Sequence, residues 1–165
     1  MIAHRRIELA RDLTKRLLRI GATANLLNLL QKQHPADLAT IFSELSDKER
    51  EAAFSLLAEQ NGRLAMEAIS ELGPEVGALL LSTRTAEEIS RLAQEIQSDD
   101  AAALIDGLPE ELSVAVLDLM RPKESGIVEH LLEYDDQTAG RIMNPNVFAL
   151  SEDLTVGEAI TALQG

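Results

Sequence analysis

Four stretches of this sequence decide its fold: Glu44-Leu45-Ser46-Asp47-Lys48-Glu49, Glu71-Leu72-Gly73-Pro74-Glu75, Glu95-Ile96-Gln97-Ser98-Asp99 and Gly107-Leu108-Pro109-Glu110-Glu111. Each carries an apolar residue, then a cap or breaker, then acids suited to the first turn of a helix. Ser46 with Glu49 has the spacing of a capping box, in which hydroxyl and carboxylate satisfy each other's backbone amides. Gly73-Pro74 ends one helix and begins another, because glycine tolerates the closing turn and proline fits the first helical position. The apolar residues Leu45, Leu72, Ile96 and Leu108 are spaced 27, 24 and 12 apart, one repeat per helix pair with a half-step at the end. Short antiparallel helices repeated in this way stack, each pair burying the apolar stripe of the last. The pattern predicts an all-α, right-handed superhelix or solenoid of about ten short helices. A compact bundle with irregular helix lengths is the alternative architecture.

The flanking sequence extends the pattern. Residues 2–19 are amphipathic, with Leu9, Leu13 and Leu17 at i, i+4 and i+8. Gly21 interrupts them, residues 22–33 form a second helix, and His34-Pro35 starts a third. Asn61-Gly62 marks another boundary, Thr85-Ala86-Glu87-Glu88 is a second capping box, and Ser98, Pro109 and Pro122 mark further starts. The character changes after Tyr134. Residues 135–146 read as a polar linker, 147–150 as a strand, and Thr155-Val156-Gly157-Glu158 as a capping box opening a last helix. One strand and one helix cannot make a domain. The expected organisation is a helical domain over 1–134, a linker over 135–146 and an incomplete second domain over 147–165.

Composition narrows the function. Among 165 residues there are 28 acidic and 15 basic side chains, a net charge of −13. Residues 1–20 hold six cations and two acids, a local +4, so the remainder carries −17. With aromatics at 2%, the chain lacks the cationic surface and stacking rings of a nucleic-acid binder. It has no cysteine, which excludes disulfides, thiolate zinc sites and cysteine nucleophiles. His4, His34 and His130 are scattered, so a transition-metal site is not expected. No apolar run is long enough to span a bilayer, no secretory signal opens the chain, and the fragment reads as soluble and cytosolic. No nucleophile–base pair, phosphate loop or paired-carboxylate cleft points to an enzyme. An acidic body of this kind attracts cations.

Two regions carry a family resemblance. Ala139-Gly140-Arg141-Ile142-Met143-Asn144-Pro145, with the apolar residues 147–150 and Leu154-Thr155-Val156-Gly157-Glu158-Ala159, resembles the opening of a CBS domain of MgtE-type magnesium transporters. His34-Pro35-Ala36-Asp37-Leu38-Ala39 and Ser98-Asp99-Asp100-Ala101-Ala102 resemble that family's cytosolic N-terminal domain. The resemblance covers roughly residues 22–163 and implies a right-handed superhelix followed by the start of a CBS β-α unit. By it, the chain stops inside the first CBS repeat, as a piece of a longer polypeptide would. It further implies a magnesium sensor on the cytoplasmic face of the inner membrane. The partners would be CBS domains and a transmembrane pore of the same polypeptide, in a homodimeric, multi-pass full-length protein. Mg²⁺ would bridge acidic faces of the two domains and close the pore. Such an ion takes oxygen ligands, keeps several waters and needs only one or two carboxylates.

The same resemblance implies the candidate ligands. Glu67 and Asp99 stand at family positions that take part in magnesium binding; Asp100, Asp106, Asp136 and Gly140 are further candidates. The family usually places another acid at the position of Ala103. Blander roles compete. Glu67 also suits an i,i+4 partner of Arg63, and Asp99 suits a dipole-favoured helix start. Asp106 lies two turns from Asp99, about 10 Å away. Asp135, Asp136 and Gly140 suit a solvated linker, and His34 a helix cap. The basic first helix suits either an anionic membrane surface or acidic neighbours within the domain. A different functional class stays open beside the sensor: a structural helical adaptor, similar to flagellar motor-switch modules, that works by protein contact alone. A freestanding soluble protein with no pore is the third reading.

Overall fold

The computed structural model describes residues 2–135, 137–145 and 147–164, with side chains from residue 5 onward. Asp136, one of the candidate ligands, lies outside the described residues. Among the described residues eleven helices follow one another: α1 (Ile2–Ile20), α2 (Thr23–Leu30), α3 (Pro35–Ser43), α4 (Asp47–Gln60), α5 (Gly62–Leu72), α6 (Pro74–Leu81), α7 (Ala86–Ala93), α8 (Ser98–Asp106), α9 (Glu110–Leu119), α10 (Pro122–Leu132) and α11 (Val156–Gln164).

The caps act where the sequence places them. The Glu49 carboxylate accepts from both the Ser46 amide at 3.0 Å and the Ser46 hydroxyl at 2.7 Å. Those two bonds hold the Glu49 carboxyl below its usual range. Thr85 and Glu88 exchange amide bonds at 3.3 Å each way. The His34 ring nitrogen Nδ1 accepts from the Ala36 amide at the start of α3, so His34 serves as a cap.

Helices pack mainly on the second helix along: α1 on α3, α2 on α4, α3 on α5, α5 on α7, α6 on α8, α7 on α9 and α8 on α10. That alternation is what a stack of helix pairs requires. A single apolar core runs through the stack from Ala10 to Leu131, with Phe42 and Phe54 fully buried in it. Two glycines set the spacing around α8. A Cβ on Gly77 would meet Leu104 Cδ2 at 2.4 Å and the Ile69 carbonyl oxygen at 3.1 Å. A Cβ on Gly107 would meet Ala78 Cβ at 2.6 Å. Only glycine lets α6 lie this close to α5 and α8, which brings the acidic ends of these helices side by side.

The basic α1 docks on acidic neighbours. Arg6 pairs with Asp37 of α3 at 2.9 Å, and Arg11 pairs with Asp12 and Glu44. Those two carboxylates raise the Arg11 pKa above its ordinary value. Leu9, Leu13 and Ile20 stay exposed on its outer side.

The tail departs from expectation. Residues 147–150 do not form the expected strand, and no strand occurs among the described residues. An extended segment needs a neighbouring strand for its amides and carbonyls, and the described residues supply none. Val147, Phe148 and Leu150 lie exposed instead. The helix after them forms as its capping box predicts: Glu158 accepts from the Thr155 amide at 2.8 Å. α11 buries no residue. The segment before the tail does not stand off in solvent. A Cβ on Gly140 would meet the Tyr134 ring at 2.5 Å, and Arg141 is buried against the helical body.

Candidate metal-binding face

The burial pattern of α8 builds the site. Ala101, Ala102, Leu104 and Ile105 face the core. The helical period therefore turns Asp99, Asp100, Ala103 and Asp106 outward on one side. α5 does the same. Ala65, Met66, Ala68 and Ile69 are buried, which leaves Arg63, Glu67 and Glu71 on the open side.

Two adjoining clefts result, and Asp100 belongs to both. The first lies between the start of α6, α8 and the segment after α10, and its charged lining is Glu75, Asp99, Asp100, Asp106 and Arg141. The second lies between α5 and the turn before α8, and its charged lining is Arg63, Glu67, Glu71, Glu95 and Asp100. Burial, followed by the charges of Asp99, Glu71 and Glu67, pushes the Asp100 carboxyl above the ordinary carboxylate range. Carboxylates of both α8 and α5 thus act against the charged form of Asp100. Asp99 adds a second sign of unbalanced charge: its Oδ1 is buried with no hydrogen-bond partner. A buried carboxylate oxygen without a donor is uncommon and suits a cation or a cation-bound water.

Two of the acids already carry a protein cation. Glu67 Oε1 accepts from Arg63 Nε at 2.8 Å, the i,i+4 partnership the spacing allows, and Glu67 raises the Arg63 pKa. Asp106 Oδ2 lies 2.7 Å from Arg141 Nη2. The structure therefore brings Glu67, Asp99 and Asp100 onto one face. It sets Asp106 at the end of the first cleft with a guanidinium upon it. Gly140 lies outside both clefts, against the Tyr134 ring. Sequence reasoning passed over Glu71, Glu75, Glu95 and Arg141. The first had a signal, since it sits one turn beyond Glu67 on the same stripe. Arg141 had none, because a cation in a polar stretch gives no hint of burial.

The donor set is all carboxylate, which suits a hard cation such as Mg²⁺ or Ca²⁺. Among the described residues, no group of three or more His, Asp or Glu side chains is arranged to hold a metal ion by itself. Nor is any described helix long and apolar enough to cross a membrane.

Residues 33–137 match the family described as the MgtE intracellular N domain. The chain is 30% identical over 147 residues to the magnesium transporter MgtE of Thermus thermophilus, covering 87% of this chain and 32% of that protein. It is 28% identical over 148 residues to the magnesium transporter MgtE of Bacillus subtilis, covering 90% and 32%. The chain thus spans about a third of the length of these curated relatives. Among solved structures, the soluble part of a magnesium transporter superposes with a TM-score of 0.76 at 21% identity, covering 96% of this chain and 61% of the other, and shows the shared fold. The cytosolic domain of the Mg²⁺ channel MgtE in complex with ATP superposes with a TM-score of 0.77 at 29% identity, covering 91% and 60%.

Proposed function

The chain belongs to the family of MgtE intracellular N domains, and we propose that it is the magnesium-sensing part of a magnesium transporter or channel. In this reading it acts on the cytoplasmic side of the membrane, and its partners are CBS domains and a transmembrane pore of the same polypeptide, assembled as a homodimer. The reading rests on one observation: Asp100 lies in both clefts beside carboxylates of α8 and α5, where its burial, and then their charges, disfavour its ionisation. Glu67, Glu71, Asp99 and Asp100 would offer carboxylate oxygens from this side, no more than two of them to any one ion. A bound Mg²⁺ supplies positive charge and ordered waters between acidic surfaces. These residues leave the opposite side of the ion open, so a second acidic surface completes the site. In the absence of the ion, the same residues repel that surface, and the two domains separate.

The test is transport. In the full-length protein, the double variant Glu67→Gln/Asp99→Asn should require more Mg²⁺ before transport stops. Unchanged magnesium inhibition would remove ion sensing from this face and leave the contact-only adaptor role in its place. Titration of the 165-residue chain should show weak Mg²⁺ binding. Tight stoichiometric binding would contradict a site shared between two surfaces.

A further inference from the structure

Arg141 sits where a cation would sit at one end of the acidic face. Its Nη2 lies 2.7 Å from Asp106 Oδ2, and the side chain is only 8% exposed. Its Nη1 donates to the Leu131 carbonyl oxygen at 3.1 Å, which ties the segment to the end of α10. Asn144 Nδ2 donates to Gln97 Oε1 at 2.5 Å, just before α8. Gly140 closes on the Tyr134 ring. Residues 138–144 are thus strapped along the acidic face, Arg141 lining the first cleft and Asn144 the second.

We propose that Arg141 is a tethered counter-cation: it competes with a divalent ion for Asp106 and for the field of Asp99, so that ion binding and release of the 138–144 strap are coupled. This rests on the reading of the face as magnesium-sensing and deepens it. A guanidinium is charged at every accessible pH, is weakly hydrated, and can sit buried beside a carboxylate. One positive charge facing Glu75, Asp99, Asp100 and Asp106 leaves the cleft still strongly negative. A divalent ion balances more of that charge, and Asp106 is half-exposed, so an ion can reach it from solvent. The strap raises the ion concentration needed to occupy the cleft. By linkage, the ion weakens the strap by the same factor.

Tryptic cleavage after Arg141 reports the strap, because the protease must take the arginine side chain into its own pocket. In the wild-type chain, Mg²⁺ should accelerate this cleavage, and potassium chloride at matched ionic strength should not. Asp106→Asn should expose the same bond without Mg²⁺. If Arg141 stays protected in that variant, the ion pair does not hold the strap and the proposal fails whatever the face binds. By calorimetry, Arg141→Gln should bind Mg²⁺ about two- to fivefold more tightly than wild type, the scale of one partly exposed ion pair. Equal affinities would overturn the coupling while leaving the sensing role intact. Absence of Mg²⁺ binding in both proteins would overturn the sensing role and the strap together.

Discussion

Asp100 and Glu67 look into one cleft from two helices, α8 and α5. Burial and Asp99 come first among the causes that push the Asp100 carboxyl up, and the charges of Glu71 and Glu67 add to them. The domain therefore holds like charges together across its own helix stack. Core packing of Ala101, Ala102, Leu104 and Ile105 against the α5 and α6 layer fixes that arrangement, so the acids cannot move apart without unpacking the stack.

Asp100→Asn should stabilise the chain at neutral pH. The sign follows from linkage. A carboxyl whose folded-state pKa is raised favours the protonated form in the fold, so its contribution to stability is present below the unfolded pKa and lost as pH rises through the folded one. The asparagine variant removes that loss. Solvent reaches the site, so the gain should be small, about 0.5 kcal/mol or less. It should vanish in acid, below the ordinary carboxylate pKa. Thermal melts at matched ionic strength measure it. A variant less stable than wild type at pH 7 would show that Asp100 makes a favourable contact in the fold. Protons and Mg²⁺ should also compete at Asp100. Weakening of Mg²⁺ binding by acid should begin at a higher pH in wild type than in Asp100→Asn.

Ala103→Asp should strengthen Mg²⁺ binding. Ala103 lies exposed in the first cleft, one turn beyond Asp99 on the same side of α8. A carboxylate there adds an oxygen donor and deepens the negative potential. It also adds repulsion without the ion and costs about 0.5 kcal/mol of helix propensity. The expected signature is a lower melting temperature without Mg²⁺ and a larger rise on adding it. Equal Mg²⁺-dependent shifts in both proteins would place the ion elsewhere.

Thr14→Val tests the other end of the stack. Thr14 is fully buried in α1, and its hydroxyl has no hydrogen-bond partner. The two side chains match in shape, so the substitution removes a desolvated hydroxyl and keeps the packing. Stability should rise by about 1 kcal/mol. A fall in denaturant midpoint would mean that the hydroxyl is satisfied in solution.

The fold was legible because its signals are local. Ser46 with Glu49, Thr85 with Glu88 and Gly73 with Pro74 each fix a boundary within four residues of chain, and the structure forms each one. The strand expected over 147–150 failed because a strand is not a local object: its apolar residues predict extended chain, but only a partner can pair it. The placement of the candidate residues was legible only in part. Asp99 and Asp100 stand beside a clear helix start. That Asp100 shares a cleft with Glu67 and Glu71 depends on how closely α5, α6 and α8 approach, which Gly77 and Gly107 control and no spacing reveals. Arg141 lay in a stretch whose polarity suggested solvent. Its burial follows from Asp106 and the Leu131 carbonyl, partners that only the folded chain brings near.

Two truncations should separate the strap from the tail. Residues 147–164 hold α11, which buries nothing, and the exposed Val147 and Phe148. Deleting 147–165 should leave the melting temperature of the helical body nearly unchanged. Deleting 136–165 removes more. It takes Arg141 from Asp106, uncovers the Leu131 carbonyl and strips Gly140 from the Tyr134 ring. The loss should be about 1 kcal/mol, or some 2–4 °C in a chain of this size. Mg²⁺ should recover part of it, because Asp106 without its guanidinium is a better ion ligand. Equal melting temperatures for the two truncations would show that the strap adds nothing to the fold. A large fall on deleting 147–165 alone, at low protein concentration, would show that the tail packs on the body after all.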